Sequence, residues 1–414
     1  MIRVIRVTTP SRTDVFPDAL NKRALETPYR CVQTACLSFV LVLVAVIFQL
    51  GASPYIAFAF AGSFIMHAVS QPKRKEFAIV AACATIFGIA YYLLHGTITN
   101  FYGAAVAIPA GLLGMGSVLI TTLLWFWAPA EIKRARFERA REVGLIPSLC
   151  LCSAIAVNLA IGFTPITYDR VVYVFDTKFG GPPSWVIGQL FRAHPWLMKA
   201  CGHVYNSLPL GLGACLAIQY RDRRNNAPIL VDLRWLSVAL GVVGFLLYQI
   251  SPVAGPIYLF REQFPFQVPD LAGLAIQPAW LQPAARNGMP SLHVGWTLLL
   301  FWNMRRRNWW MGTISAVYLT LTALATLGFG EHYLADLIVA PPLALAMQAA
   351  FTRTPHRLRW IAMTTGAAIT LAWLFAFRTG AALAIPQGPA AWSIAFVSIA
   401  LPAISAWRLE PAAR

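Results

Sequence analysis

The chain has 414 residues, 58% of them hydrophobic and only 12% charged, with a net charge of +17. A soluble protein carries about a quarter of its residues as Asp, Glu, Lys and Arg. At mean hydropathy +0.61 this chain lacks the polar surface to dissolve and belongs in lipid. Its basic excess lies in short loops between apolar runs, the bias of cytoplasmic loops and not a nucleic-acid face.

Residues 1–30 are polar and carry Arg3, Arg6, Arg12, Lys22, Arg23 and Arg30. They lack the apolar core and small-residue cleavage site of a signal peptide, so they read as a cytoplasmic lead-in. A bilayer-spanning helix needs about 20 mostly apolar residues. That rule places about twelve spans, near 32–50, 54–70, 77–95, 103–128, 144–162, 196–219, 233–250, 290–304, 309–328, 332–351, 360–377 and 383–407. Pro386, Gln387, Gly388 and Pro389 interrupt the last.

Basic residues follow every even-numbered span, from Lys73, Arg74 and Lys75 through Lys133–Arg141, Arg221–Arg224, Arg305–Arg307 and Arg353–Arg359 to Arg408. The pattern predicts both termini in the cytoplasm and puts 163–195, 251–289 and 328–331 on the other face, which fits a bacterial inner membrane with those loops in the periplasm. The two long loops are rich in proline and aromatics, and read as caps on the membrane surface. The seven cysteines lie mostly inside apolar runs without metal-ligand spacing, as small core residues do.

Two stretches carry chemistry. Arg286 to Trp296, RNGMPSLHVGW, and Gly330 to Asp336, GEHYLAD, each put a histidine where an apolar run begins, on the same predicted face. Ionisable residues at such places are expensive and mark functional sites. Pro290 suits the first turn of a helix, Ser291 offers a hydroxyl, and the free N–H groups of a helix start form an anion site. His293 stands beside it, able to give or take a proton near neutrality. On a helix, Asp336 would share a face with His332 and hold one ring nitrogen, leaving the other as a nucleophile. Such a set suits phosphoryl transfer through a phosphohistidine, and requires neither metal nor cofactor.

These residues resemble the type 2 phosphatidic acid phosphatase (PAP2) superfamily. Pro290, Ser291 and His293 match its Pro-Ser-Gly-His motif, with Leu292 in place of glycine, and His332 and Asp336 match the end of its Ser-Arg-x5-His-x3-Asp motif. Ala325 and Thr326 stand where the Ser-Arg pair would fall, and no Lys-x6-Arg-Pro is visible upstream. GMPSLH and HYxxD look most like the inositolphosphotransferase branch containing inositol phosphorylceramide synthases; sphingomyelin synthases similarly use HYxxD. The resemblance implies an all-α integral membrane enzyme whose six-helix PAP2-like catalytic core occupies 144–352, with accessory transmembrane helices at 31–143 and 353–414. It implies His332 as nucleophile, Asp336 as its orienting group, and His293 as the acid that protonates the leaving group.

Four further residues are candidates for substrate binding. Ser291 and Arg286 flank the anion site, Arg261 ends SPVAGPIYLFR, and His203 lies with Tyr205 and Asn206 in a polar patch of the sixth span. His67 and His95 read as interfacial, Glu331 as a solvated edge residue, and Trp125, Trp127, Trp302, Trp309 and Trp310 as membrane-interface belts. The expected partners are a membrane lipid substrate and a lipid or polyol alcohol acceptor. With water as acceptor the protein would instead be a lipid phosphate phosphatase. A multi-span transporter or flippase is the alternative of another class, and would carry its ionisable residues at mid-span on broken helices; a scaffold that had lost its chemistry would show a broken motif.

Overall fold

The computed structural model describes residues 53–96, 101–281, 284–353 and 356–409. The first expected span, 32–50, lies outside them. Helix α1 (Pro54–Val69), α2 (Arg74–His95) and α3 (Ala104–Phe126) lead into the long α4 (Ala130–Phe163). Two short helices, α5 (Asp169–Asp176) and α6 (Pro183–Ala193), fill the first cap loop, followed by α7 (Pro195–Asn206), α8 (Leu208–Arg224) and α9 (Leu233–Tyr248). After the single turn α10 (Pro256–Phe260) come α11 (Leu292–Met304), α12 (Trp309–Gly328), α13 (Leu334–Phe351), α14 (His356–Thr379) and α15 (Pro389–Leu409).

Among the described residues, seven helices are long and apolar enough to cross a membrane: α2, α3, α4 and α12–α15. The protein is therefore a predominantly helical integral membrane protein; the described residues do not confirm twelve spans or a six-helix core. Two expected spans, α1 and α9, are shorter apolar helices, and α11 has 13 residues. The run 196–219 is two helices, α7 and α8, parted at Ser207. Its break falls where Pro209 enters the first turn of α8, whose missing N–H cannot continue α7. Conversely, 130–143 continues into the fifth span as one 34-residue helix, because nothing there stops it.

Close backbone approaches hold the first helices together. A methyl group on Gly114 of α3 would overlap the main-chain carbonyl of Phe60 in α1, and one on Gly111 would lie 2.9 Å from the Ala57 carbonyl oxygen. Small residues admit such contacts, which drive association where lipid offers no hydrophobic gain. One large core joins α1, α3, α8, α9, α11 and α13, and a second joins α5 and α6 to α13, α14 and α15. Trp302 and His67 are buried, at 2% and 0% exposure, and not interfacial; Trp302 belongs to the large core, and His67 lies edge-on to Phe77.

At the predicted cytoplasmic end, Glu142 of α4 takes Arg223 of α8, at 3.2 Å, and Arg234 of α9. Gln219 also spans the α8–α9 turn, donating to the Val231 carbonyl and accepting from Leu233 N–H. Removing one member of a buried ion cluster strands the others. Glu142→Gln is expected to cost about 3–5 kcal/mol, read as a lowered melting temperature in detergent.

At the opposite end, a two-residue strand β1 (Ile166–Thr167) pairs antiparallel with β2 (Ala279–Trp280), tying the two cap loops together. Asp169 of α5 accepts from the N–H groups of Ala254 and Gly255. Burial pushes the Asp169 carboxyl up to about 6, against those backbone bonds, which lower it. Asp176 accepts from Leu334 N–H at 2.7 Å and Ala335 N–H at 3.0 Å. The first cap helix thus closes the start of α13, satisfying donors that a helix leaves open.

Candidate active site

Four separated pieces of chain meet at one point: Tyr55 of α1, Tyr205 of α7, Ser291–His293 at the start of α11, and His332–Asp336 at the start of α13. Ser291 is the N-cap of α11, its Oγ accepting from Val294 N–H. Pro290 therefore precedes the cap and does not occupy the first turn, because the serine hydroxyl takes that role. The same Oγ lies 3.3 Å from His332 Nε2, and Ser291 N–H donates to the Asp336 carbonyl at 3.2 Å, stitching the two helix starts together.

His332 precedes α13, so its link to Asp336 arises from capping and not from a shared helix face. Asp336 Oδ2 accepts from Tyr333 N–H at 2.9 Å and lies 3.3 Å from His332 Nδ1. His332 is also fixed by its backbone: its N–H donates to the Thr326 carbonyl at 3.1 Å, and its carbonyl accepts from Ser184 Oγ at 2.9 Å. His332 and Asp336 are buried, and His293 is half-buried. The two histidine rings stand 6.1 Å apart. One ring nitrogen of His332 is held by Asp336 and the other is turned to Ser291.

His293 is oriented by residues outside the motifs. Its Nε2 lies 3.1 Å from the Tyr55 hydroxyl, and its ring stacks on Tyr205 at 4.4 Å. Tyr55 does not stand out in the sequence, since it heads an ordinary apolar run with Phe58 and Phe60. The polar patch around Tyr205 is the one local signal. His203, chosen from that patch, is exposed beside Tyr102, one half-turn from the residue that touches His293.

The two arginines singled out in the sequence have other surroundings. Arg286 is 2% exposed, but its guanidinium donates to the carbonyls of Thr164, Pro165, Leu281 and Ala284. Its donors are spent on joining the end of α4 to the second cap loop, so its nearness to Ser291 in sequence does not place it on the anion. Arg261 is exposed, in a turn on the cap surface. Glu331 is not a solvated edge residue: it accepts from the Tyr258 hydroxyl at 2.9 Å, and burial raises its carboxyl above the ordinary value while that bond lowers it. Gly255, at φ +120, lets the cap backbone pass against Glu331, where a methyl group would lie 2.5 Å from its carbonyl oxygen. Among the described residues, no three His, Cys, Asp or Glu side chains cluster as a metal site would.

Residues 170–350 match the family model of the PAP2 superfamily, a segment that holds both histidines and Asp336. The match supports phosphoester chemistry of phosphatase or phosphotransferase type, and is to the superfamily, not to the inositolphosphotransferase branch. No curated protein and no solved structure matches the chain.

Proposed function

We propose that the protein cuts and re-forms phosphoesters of membrane lipids through a phosphohistidine at His332, on the non-cytoplasmic face. One observation carries the reading: His332 has Nδ1 toward the Asp336 carboxylate and Nε2 toward Ser291, with the His293 ring edge-on beside it. A carboxylate holding Nδ1–H leaves the lone pair on Nε2. Nε2 forms a bond to phosphorus as the bond from phosphorus to the leaving oxygen breaks, and His293 gives that oxygen its proton. In the second half, an acceptor hydroxyl loses its proton to His293 and its oxygen displaces Nε2. Ser291 and the N–H groups at the start of α11 stabilise the charge on the phosphoryl oxygens, a role the sequence suggested for them together with Arg286.

The acceptor favoured by the likeness of GMPSLH and HYxxD to inositolphosphotransferases is an alcohol, making the protein a lipid headgroup transferase. Protein in nanodiscs would be given phosphatidic acid, a polyprenyl diphosphate, or phosphatidylinositol with ceramide. A new phospholipid without free phosphate is the expected result; free phosphate would make water the acceptor and the protein a phosphatase. Asp336→Asn is expected to lower turnover by about 10²–10⁴-fold, as removal of the tautomer-holding carboxylate does in catalytic triads. Wild-type turnover in that variant would take Asp336 out of the mechanism.

A further inference from the structure

His293 has to change its charge twice in each cycle, and one of its two ring nitrogens is already engaged. Nε2 lies 3.1 Å from the Tyr55 hydroxyl, while Nδ1 makes no hydrogen bond among the described residues. A tyrosine hydroxyl can donate or accept, so proton balance decides its role. If it donated, Nδ1–H would be the one ring proton, and giving it away would leave an imidazolate. If it accepts Nε2–H, the ring passes between imidazolium and neutral imidazole with every exchange at Nδ1. The ring's face points the same way. Tyr205 lies nearly parallel to it, with 20° between planes and 4.4 Å between centroids, where an aromatic face favours a cation. The helix that brings Tyr55 is held at backbone distance. A methyl group on Gly213 of α8 would lie 2.7 Å from the Gly62 Cα of α1, so α1 is clamped to α8 as well as to α3.

We propose that Tyr55 is the positioning residue of His293: its hydroxyl oxygen accepts Nε2–H throughout the cycle, so that Nδ1 alone exchanges protons with the substrates. The direction of those transfers rests on the phosphotransfer reading, and the tautomer on the geometry and the proton balance. In the first half the Nδ1–H bond breaks as its proton passes to the leaving oxygen. The imidazolium becomes neutral, with Nε2–H still on Tyr55. In the second half the acceptor's O–H proton passes to Nδ1 and restores the imidazolium. The two histidines thus have different holders for different work. A carboxylate beside His293 would favour its charged form and weaken it as an acid, whereas a neutral hydroxyl fixes the tautomer without that cost. Tyr55 lies outside the 170–350 segment that matches the superfamily. On this assignment α1 is part of the catalytic centre and not an accessory to it.

The test uses full-length protein labelled with ¹⁵N-histidine in nanodiscs, with the His293 signal identified by its loss in His293→Ala. Neutral His293 is expected to show a protonated Nε2 and a bare Nδ1. A protonated Nδ1 in the wild type would overturn the proposal. Tyr55→Phe keeps the ring and removes the hydroxyl, and should lose that preference. Its turnover of a lipid ester, whose oxygen needs a proton to leave, is expected to fall about 10–100-fold, part of the roughly 10²–10⁴ that a placed acid contributes. Phosphohistidine formation from an aryl phosphate, whose leaving group needs no proton, should be spared in the same variant. A displaced α1 would slow both alike, so equal losses, or no loss in either, would refute the assignment. If the wild-type protein turns over no lipid, the phosphotransfer reading falls, while the ¹⁵N spectrum still decides the tautomer.

Discussion

His332→Ala is expected to lose at least about 10⁴-fold in turnover, since removing a nucleophile leaves only binding and charge stabilisation. Folding can be separated from chemistry, because the main chain of His332, held by Thr326 and Ser184, keeps its bonds in the variant. Wild-type protein given a ³²P-labelled phosphoester and quenched in base should carry an acid-labile phosphoramidate, and His332→Ala should carry none. His293→Ala should behave differently with an aryl phosphate whose leaving group needs no proton. The phosphohistidine would then form and discharge slowly, so label should accumulate. Equal labelling of wild type and His332→Ala would move the nucleophile elsewhere.

The second large effect is structural. Gly114→Leu forces α3 away from α1, because even its first carbon meets the Phe60 carbonyl, and main chain cannot swing aside as a long side chain can. Overpacking costs about 1–3 kcal/mol and occasionally more; with backbone as the obstacle, the upper end is expected. Melting in detergent should fall well below that of Gly144→Ala, since Gly144 has nothing within 4 Å of its added carbon. Gly114→Leu should also lose activity in the fraction that stays folded, because α1 carries the Tyr55 hydroxyl that meets His293. A Gly114→Leu protein as stable as wild type would mean that α1 and α3 do not cross this closely.

The features legible in the sequence are those with local patterns. Long apolar runs marked α2, α3 and α12–α15, and the spacing of PSLH and HYLAD marked both histidines and Asp336. The rest depends on partners distant in the chain. Asp176 reads as an ordinary loop carboxylate until α5 is seen capping α13. Arg286 invited assignment to an anion because it stands five residues before Ser291, but two of the four carbonyls that hold it come from 164–165. Tyr55 fell among accessory helices because nothing in its own neighbourhood points to a histidine 238 positions away. The fusion of 130–143 with the following span shows the converse: charge marks where a helix leaves the membrane, but does not end it.

The bond between Tyr55 and His293 also sets a timetable. With 238 positions between them and synthesis at ~5–20 residues per second, roughly 10–50 s separate the appearance of one from the other. His332 and the cap that holds it come in two instalments, since Ser184 and Asp176 are made long before α13. The early helices therefore wait in the bilayer with an unfinished pocket, and the centre closes only when the last histidine arrives. A nascent chain halted before His332 would have most of its membrane helices but neither His332 nor Asp336, so on the proposed mechanism it could not act on the surrounding lipid.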